Sequence, residues 1–338
     1  MPLLKKSSLC SLGLLLFSLC FFPASISAQD NGLGQLFSDS ALTPGHQPVI
    51  NTFKSPVIVN AQSNETLHKH DLVFNISHRF DDIAGDNGGV KTFFGLDNST
   101  DIKIFFEYGI SDRLTVGVGR AKGSPEYRYI GVPFNNMSEL WEGKIKYRLL
   151  QQTTDNHIPV AVTLFANAVA SSRSSDPSPV SDAHFKNFSD RWSFTGQVIV
   201  ARKFGKRFSL AILPSYIRRN YVAFMDAHNF YALGMGGRWQ FNPHMAIIVD
   251  YFIPFRSKES KDYFSENGIE FYAPLSVGWE IETGGHVFHI DFTNATAILE
   301  NQLIPYTTRR WGKGEFRWGF NISRTFSLFS SKKRTWSR

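Results

Sequence analysis

The sequence predicts an all-β fold, a single closed antiparallel transmembrane β-barrel with short periplasmic turns and long extracellular loops. Three observations carry that reading. Twelve segments alternate apolar and polar side chains, the period-two signature of a strand with two different faces. The connections between them are alternately short and long. Aromatic rings gather near both ends of the segments, where a membrane wall meets water on its two sides.

Residues 1–28 read as a secretory signal. Lys5 and Lys6 form a positive start, residues 12–22 an apolar stretch, and residues 23–28 a small, turn-prone stretch, with cleavage expected after Ala28. Cys10 and Cys20 both fall within it. The exported chain is therefore expected to lack disulfides, thiol nucleophiles and thiolate metal sites. Residues 29–70 form either a periplasmic arm or, through Val57, Ile58 and Val59, a plug in the lumen.

The barrel is expected over residues 71–329. In segment 72–80, Leu72, Phe74, Ile76 and Phe80 alternate with Asn75, Ser77 and Arg79. In segment 102–110, Ile102, Ile104, Phe106, Tyr108 and Ile110 alternate with Lys103 and Glu107. Segment 140–150 is the clearest, because Glu142, Lys144, Lys146 and Arg148 share one face while Trp141, Ile145, Tyr147 and Leu149 share the other. The remaining segments are 113–121, 158–169, 192–202, 208–219, 230–240, 245–254, 271–281, 286–294 and 314–326. An even count leaves both termini on the periplasmic side.

Trp141, Trp192, Tyr231 and Trp311 fall near the long-loop ends, and Tyr108, Tyr147, Trp239 and Trp279 near the short turns. A soluble β-sandwich also alternates, but has no reason for two aromatic belts or lopsided loops. The last segment places Phe316, Trp318, Phe320, Ile322, Phe326 and Leu328 toward lipid. Phe329 would be the terminal aromatic read by the barrel-assembly machinery, followed by a basic tail over residues 330–338.

Composition excludes several classes. The formal charge of +7 suggests nucleic acid, but the signal and tail hold six of the 36 Lys and Arg and none of the 29 Asp and Glu. The body is within one charge of neutral, so no nucleic-acid partner is expected. With 14% aromatic residues the chain is not a disordered one.

Several stretches carry a family resemblance. They include FGLDN at 94–98, EYGISDRLTVGVGR at 107–120, KYRLLQ at 146–151, ARKF at 201–204, ETGGHVF at 282–288 and GFNISR at 319–324. The chain resembles a family of bacterial β-barrel proteins defined as a domain of unknown function, along nearly all of its exported length. The resemblance implies an outer-membrane barrel in a Gram-negative envelope, and it brings no catalytic residues with it.

The lumen is the candidate site. Its expected lining is Lys103, Glu107, Lys144, Lys146, Arg148, Arg238, Asp250, Glu280, His289, Asp291, Glu315 and Arg317. The signs are mixed, whereas an ion-selective pore shows a bias toward one. One function class is a narrow pore or small-solute path. The other is a structural or partner-binding barrel with a closed lumen, presenting 94–98 and the other long loops outward. A lipid hydrolase would need Ser276 and His286 together. No cofactor or metal is expected, because the histidines are scattered. Gly117, Gly119, Gly234, Gly236 and Gly237 read as strand glycines that relieve crowding or allow bends.

Overall fold

Alternation closes the sheet. In a computed structural model, twelve strands form one closed barrel: β1 (Asp71–Asp82), β2 (Ser99–Ser111), β3 (Leu114–Ala121), β4 (Leu140–Leu150), β5 (Ala161–Ser171) and β6 (Trp192–Phe204). They continue as β7 (Phe208–Arg219), β8 (Asn229–Asn242), β9 (Met245–Phe255), β10 (Leu275–Thr283), β11 (His286–Thr293) and β12 (Arg317–Ser327). Each strand pairs antiparallel with its sequence neighbours, and β1 pairs with β12 from Asp71↔Ser327 to Asp82↔Arg317. The structure describes residues 46–85, 88–124, 137–178, 181 and 183–329. The expected signal and the basic tail lie outside the described residues.

The strand faces follow the sequence pattern. On β7, Phe208, Leu210, Ile212, Pro214 and Tyr216 point outward, while Ser209, Ala211, Leu213, Ser215 and Ile217 are buried inside. Such a wall needs lipid around it, because the outward face is apolar over its whole height. The connections 112–113, 151–160, 205–207, 243–244 and 284–285 lie at one end, and all but 151–160 are of two or three residues. The remaining loops, from nine residues at 220–228 upward, lie at the other.

Three strands begin later than the sequence pattern suggests. β5 starts at Ala161 rather than 158, because Thr153 bridges to Pro48 and the Gln152 carbonyl accepts the Val49 amide at 2.7 Å. The edge of that turn thus belongs to the N-terminal arm. β10 starts at Leu275 rather than 271, directly after Pro274, which has no N–H for the ladder. β12 starts at Arg317 rather than 314, because Gly314 at φ 74° turns the chain out of a short 3₁₀ turn.

Two segments fill the interior. One is the N-terminal stretch 52–64, folded back on itself by an Ile58 N–H to Ala61 carbonyl bond of 2.8 Å. The other is the β11–β12 loop over 295–308, which contains a short helix, α2 (Glu300–Leu303), with all four residues buried. A longer helix, α1 (Lys258–Glu266), stays in the β9–β10 loop and is capped by the Ser257 hydroxyl, which accepts the Ser260 amide. Phe53, Ile58, Val59 and Ala61 from the first segment join Ala295, Ala297, Leu303 and Ile304 from the second in one apolar core.

Candidate functional site

The inner wall has two halves of different chemistry. Inward positions on β5–β9 carry Phe165, Ile199, Leu213, Ile217, Phe230, Ile248 and Phe252, which pack directly on the two inserted segments. Inward positions on β1–β4 and β10–β12 carry most of the charge. The twelve residues expected from the sequence include none of the apolar ones on β5–β9. Polar side chains share these inward faces, among them Asn167, Thr195, Gln197, Ser215, Arg238 and Asp250.

Ten of the twelve expected residues are buried in the interior: Lys103, Glu107, Lys144, Lys146, Glu280, His289, Asp291 and Arg317 on the charged half, and Arg238 and Asp250 on β8 and β9. Most of them meet as pairs. Lys144 pairs with Glu107, and Lys103 Nζ lies 2.6 Å from Glu142. Arg238 Nε lies 2.7 Å from Glu280, whose other oxygen is 3.3 Å from His289 Nε2. Arg317 meets Asp82 at 2.5 Å, and Arg79 lies 3.5 Å from Asp291. Two expected residues lie elsewhere. Arg148 sits half-buried at the short-turn end, donating to the Asp112 carbonyl at 2.6 Å. Glu315 precedes β12 and accepts the Arg310 amide at 2.9 Å, because the strand has not yet begun there.

The charged wall grips the main chain of the inserted segment. The Asp250 carboxylate accepts the Val59, Asn60 and Ala61 amides at 3.0, 2.6 and 2.8 Å. Arg79 donates to the Val59 carbonyl at 3.2 Å and to Asn60 Oδ1 at 2.9 Å, and Asn321 donates to the same carbonyl at 3.0 Å. Asn60 Nδ2 reaches Ser276 at 2.9 Å and Thr293 at 3.2 Å. Lys146 donates to the Pro56 and Ser63 carbonyls at 2.7 and 3.3 Å. Inward glycines make the room. A Cβ on Gly236 would stand 2.3 Å from Ile58 Cδ1, and one on Gly319 would stand 2.7 Å from Arg79.

The two segments also meet each other. Gln62 donates to Glu300 at 2.7 Å, and Asn167 donates to both Glu142 and Glu300 at 2.9 and 3.0 Å. The Ile298 amide reaches Asp101 at 3.0 Å, and Gln302 reaches the Met137 carbonyl at 2.6 Å. Burial pushes the Glu300 carboxyl up, with Lys103 opposing and Glu142 adding to it. Arg79, Asp101, Glu142 and Glu300 are partners that the twelve-residue reading missed. Period two placed Glu142 and Arg79 on the inner face, but nothing local marks a long loop that folds inward.

A second polar cluster ties the long loops together. Asp226 accepts from Arg256 at 2.7 Å and from the Tyr306 hydroxyl at 2.8 Å, and lies 3.1 Å from Arg219. Burial alone would raise the Asp226 carboxyl, but the two guanidinium groups outweigh it and hold it below the usual range. Burial pushes the Tyr306 phenol up. The Arg256 guanidinium also stacks 3.8 Å from the Phe271 ring.

The hydrolase pairing does not assemble. Ser276 pairs with Thr293 at one end of the β10–β11 hairpin, whereas His286 pairs with Thr283 at the other. The Ser276 hydroxyl lies 3.0 Å from Thr293 and receives Asn60, inside the lumen and away from lipid.

A closed barrel with an apolar outer wall and a charged, chain-filled interior defines a membrane β-barrel protein. The chain belongs to the family described as membrane bound beta barrel domain (DUF5777), whose profile matches residues 53–326 and so takes in the inserted segment. No curated protein matches it. Among solved structures, it is similar to the NanC porin (8% identity, 76% of this chain, 100% of that chain, TM-score 0.42). It is also similar to the KdgM porin (6% identity, 75% of this chain, 99% of that chain, TM-score 0.43). A third is the COG4313 outer membrane channel from Pseudomonas putida F1 (12% identity, 78% of this chain, 98% of that chain, TM-score 0.43). These likenesses are of the barrel fold.

Proposed function

We propose that this outer-membrane barrel is a gated path for a small solute, closed in the present state by residues 52–64 and 295–308. One observation carries the reading. The wall holds residues 56–63 through the segment's own main chain, with Asp250, Arg79, Asn321 and Lys146 as the holding groups. Contacts of this kind secure a removable stopper, since water can replace each of them once the segment leaves. The arm continues to the short-turn end, where Val49 pairs with Gln152 and Lys203 donates to the Asn51 carbonyl at 3.1 Å. The gate is thus reached from the periplasmic side. Export with cleavage after Ala28 and insertion by the barrel-assembly machinery belong to the same reading. No catalytic step is assigned to it.

A second reading is a permanently closed barrel that binds a partner outside the cell. It is favoured by the β1–β2 loop, where Phe93 and Phe94 are both exposed and both held at positive φ, 47° and 54°.

Planar-bilayer conductance separates the two. Protein refolded without residues 1–28, which carry both native cysteines, is compared with its Asn60→Cys/Ser276→Cys variant. The path reading expects wild-type openings that vanish in the oxidised variant and return on reduction. Protein that migrates as a folded barrel on gels yet stays silent, with the stopper tethered or free, supports the closed barrel.

A further inference from the structure

The outer wall carries a recess that the barrel's own packing does not explain. Ile145, Ala166, Gly196, Tyr216 and Tyr231 stand in one cross-strand row, because each pairs with the next across β4–β8. The neighbouring row toward the long loops runs Gly143, Ala168, Phe194, Arg218 and Asn229. Small residues therefore adjoin in both rows, framed by large ones. A groove of about 660 Å³ lies along the first row, over Ala166 and Gly196, bounded by Tyr147, Leu164 and Val198 below and by Tyr216 and Tyr231 at its far end.

The glycines separate two cases. Inside the barrel, a Cβ on Gly234, Gly236, Gly278 or Gly319 would come within 3.0 Å of a neighbouring side chain, so any larger residue there must displace that neighbour. On the outside, a Cβ on Gly143 or Gly196 would meet nothing within 4 Å. Glycine weakens a strand, and where no internal contact demands it, it marks a place that something approaches from outside.

Charge identifies the visitor. Arg218 lies one outward position beyond Tyr216, toward the long loops, and is half-exposed. Its Nη1 donates to Asn229 Oδ1 at 3.0 Å, and the Tyr216 hydroxyl donates to the same oxygen at 2.9 Å. Asn229 is neutral, so this contact leaves the guanidinium charge uncompensated. Further along the same rim Arg120 stacks 5.2 Å from Trp141 with its charge met by Glu139 at 3.9 Å, and Trp192 stacks parallel on Phe194 at 6.1 Å. The arrangement is an apolar groove within the membrane with an aromatic rim above it that carries one uncompensated guanidinium, Arg218, on the outer-leaflet side.

We propose that this groove is a specific site for one outer-leaflet glycolipid of the lipid A type. An acyl chain lies over Ala166 and Gly196, and a sugar phosphate sits at Arg218, one outward position beyond Tyr216. Guanidinium groups suit phosphate through paired N–H donors. A second copy of the chain would also cover the groove, but it would bring its own Arg218 to the same rim, where the charges repel.

The test is native mass spectrometry of refolded barrel in non-ionic detergent, titrated with lipid A or with dephosphorylated lipid A. Wild type is expected to retain one lipid A. Gly196→Leu and Ala166→Leu fill the groove and should lower retention of both lipids about tenfold, the effect of about two buried methylenes. Arg218→Gln should lower retention of lipid A about threefold, in the range of one exposed ionic contact, and leave dephosphorylated lipid A unchanged. Heat-modifiable gel migration confirms that each variant is folded. Equal retention by wild type and both filled variants overturns the site. A wild-type dimer that Gly196→Leu converts to monomer overturns it in favour of a second copy.

Discussion

Asp250 accepts the main-chain amide of Asn60 at 2.6 Å, and its same oxygen also takes the amides of Val59 and Ala61. One carboxylate on β9 thus holds the turn of the inserted segment. Hydrogen bonds to a charged group are worth about 1.5–3 kcal/mol each. Asp250→Ala is therefore expected to free the turn while the barrel stays closed on itself. Amide exchange at residues 57–62 should accelerate by at least about tenfold relative to the strands, since about 1.4 kcal/mol already gives that factor. Unchanged protection there would show that the apolar contacts alone hold the segment.

Gly236 and Ile58 form a size-matched pair. Gly236→Val places carbon where Ile58 Cδ1 now lies, and overpacking of this kind costs about 1–3 kcal/mol. Ile58→Ala alone leaves a cavity and costs about 2–5 kcal/mol. The double variant should be more stable than the sum of the two, by urea midpoints of gel-monitored unfolding. Simple additivity would mean that the two residues are not in contact.

Lys144 and Glu107 are a buried ion pair, with side chains 2% and 1% exposed. Lys144→Met removes one partner and leaves a buried carboxylate, at a cost of about 3–5 kcal/mol. Lys144→Met combined with Glu107→Gln should recover part of that loss, because the carboxylate stranded by the single variant is then neutral. The same unfolding measurement distinguishes the two variants.

Asp226 ties the long loops to one another below its ordinary carboxylate range. A depressed acid contributes stability that is complete above its unfolded value of about 3.9 and is lost as pH falls through its lower folded value. Limited proteolysis within 256–274 should therefore rise as pH drops through the acid range. Asp226→Asn should raise cleavage at neutral pH and flatten the profile. A wild-type profile that is itself flat would place the loops' stability elsewhere.

The wall was legible because lipid imposes a strict rule. Every second residue of a spanning strand must be apolar, so Trp141, Ile145 and Tyr147 against Glu142, Lys144 and Lys146 identify β4 without reference to anything distant. The turns at 111–112 and 282–285 were read where that alternation stops, and the structure closes them at 112–113 and 284–285. Ten of the expected lumen residues could be placed by counting in twos from that wall. Arg148 and Glu315 could not, because period two says which face a residue takes and not where the strand stops.

The interior was less accessible. Asp226, Arg219, Arg256 and Tyr306 come from three different stretches of chain, and no spacing links them. Glu300 meets Gln62 and Asn167 only because a long loop turns inward.

By itself, the sequence determined a membrane barrel, its strand number, the short and long ends, and a charged inner face. Those properties follow from local periodicity, which the membrane enforces residue by residue. Tertiary structure alone decided that the lumen is filled, that inward residues of β5–β9 such as Phe165, Phe230 and Phe252 pack on the filling, and that Asp250 and Arg79 hold main chain instead of solute. The reason is physical. Which side chains meet across a closed cylinder depends on how distant segments fold into it, and contacts at such separations leave no period in the sequence.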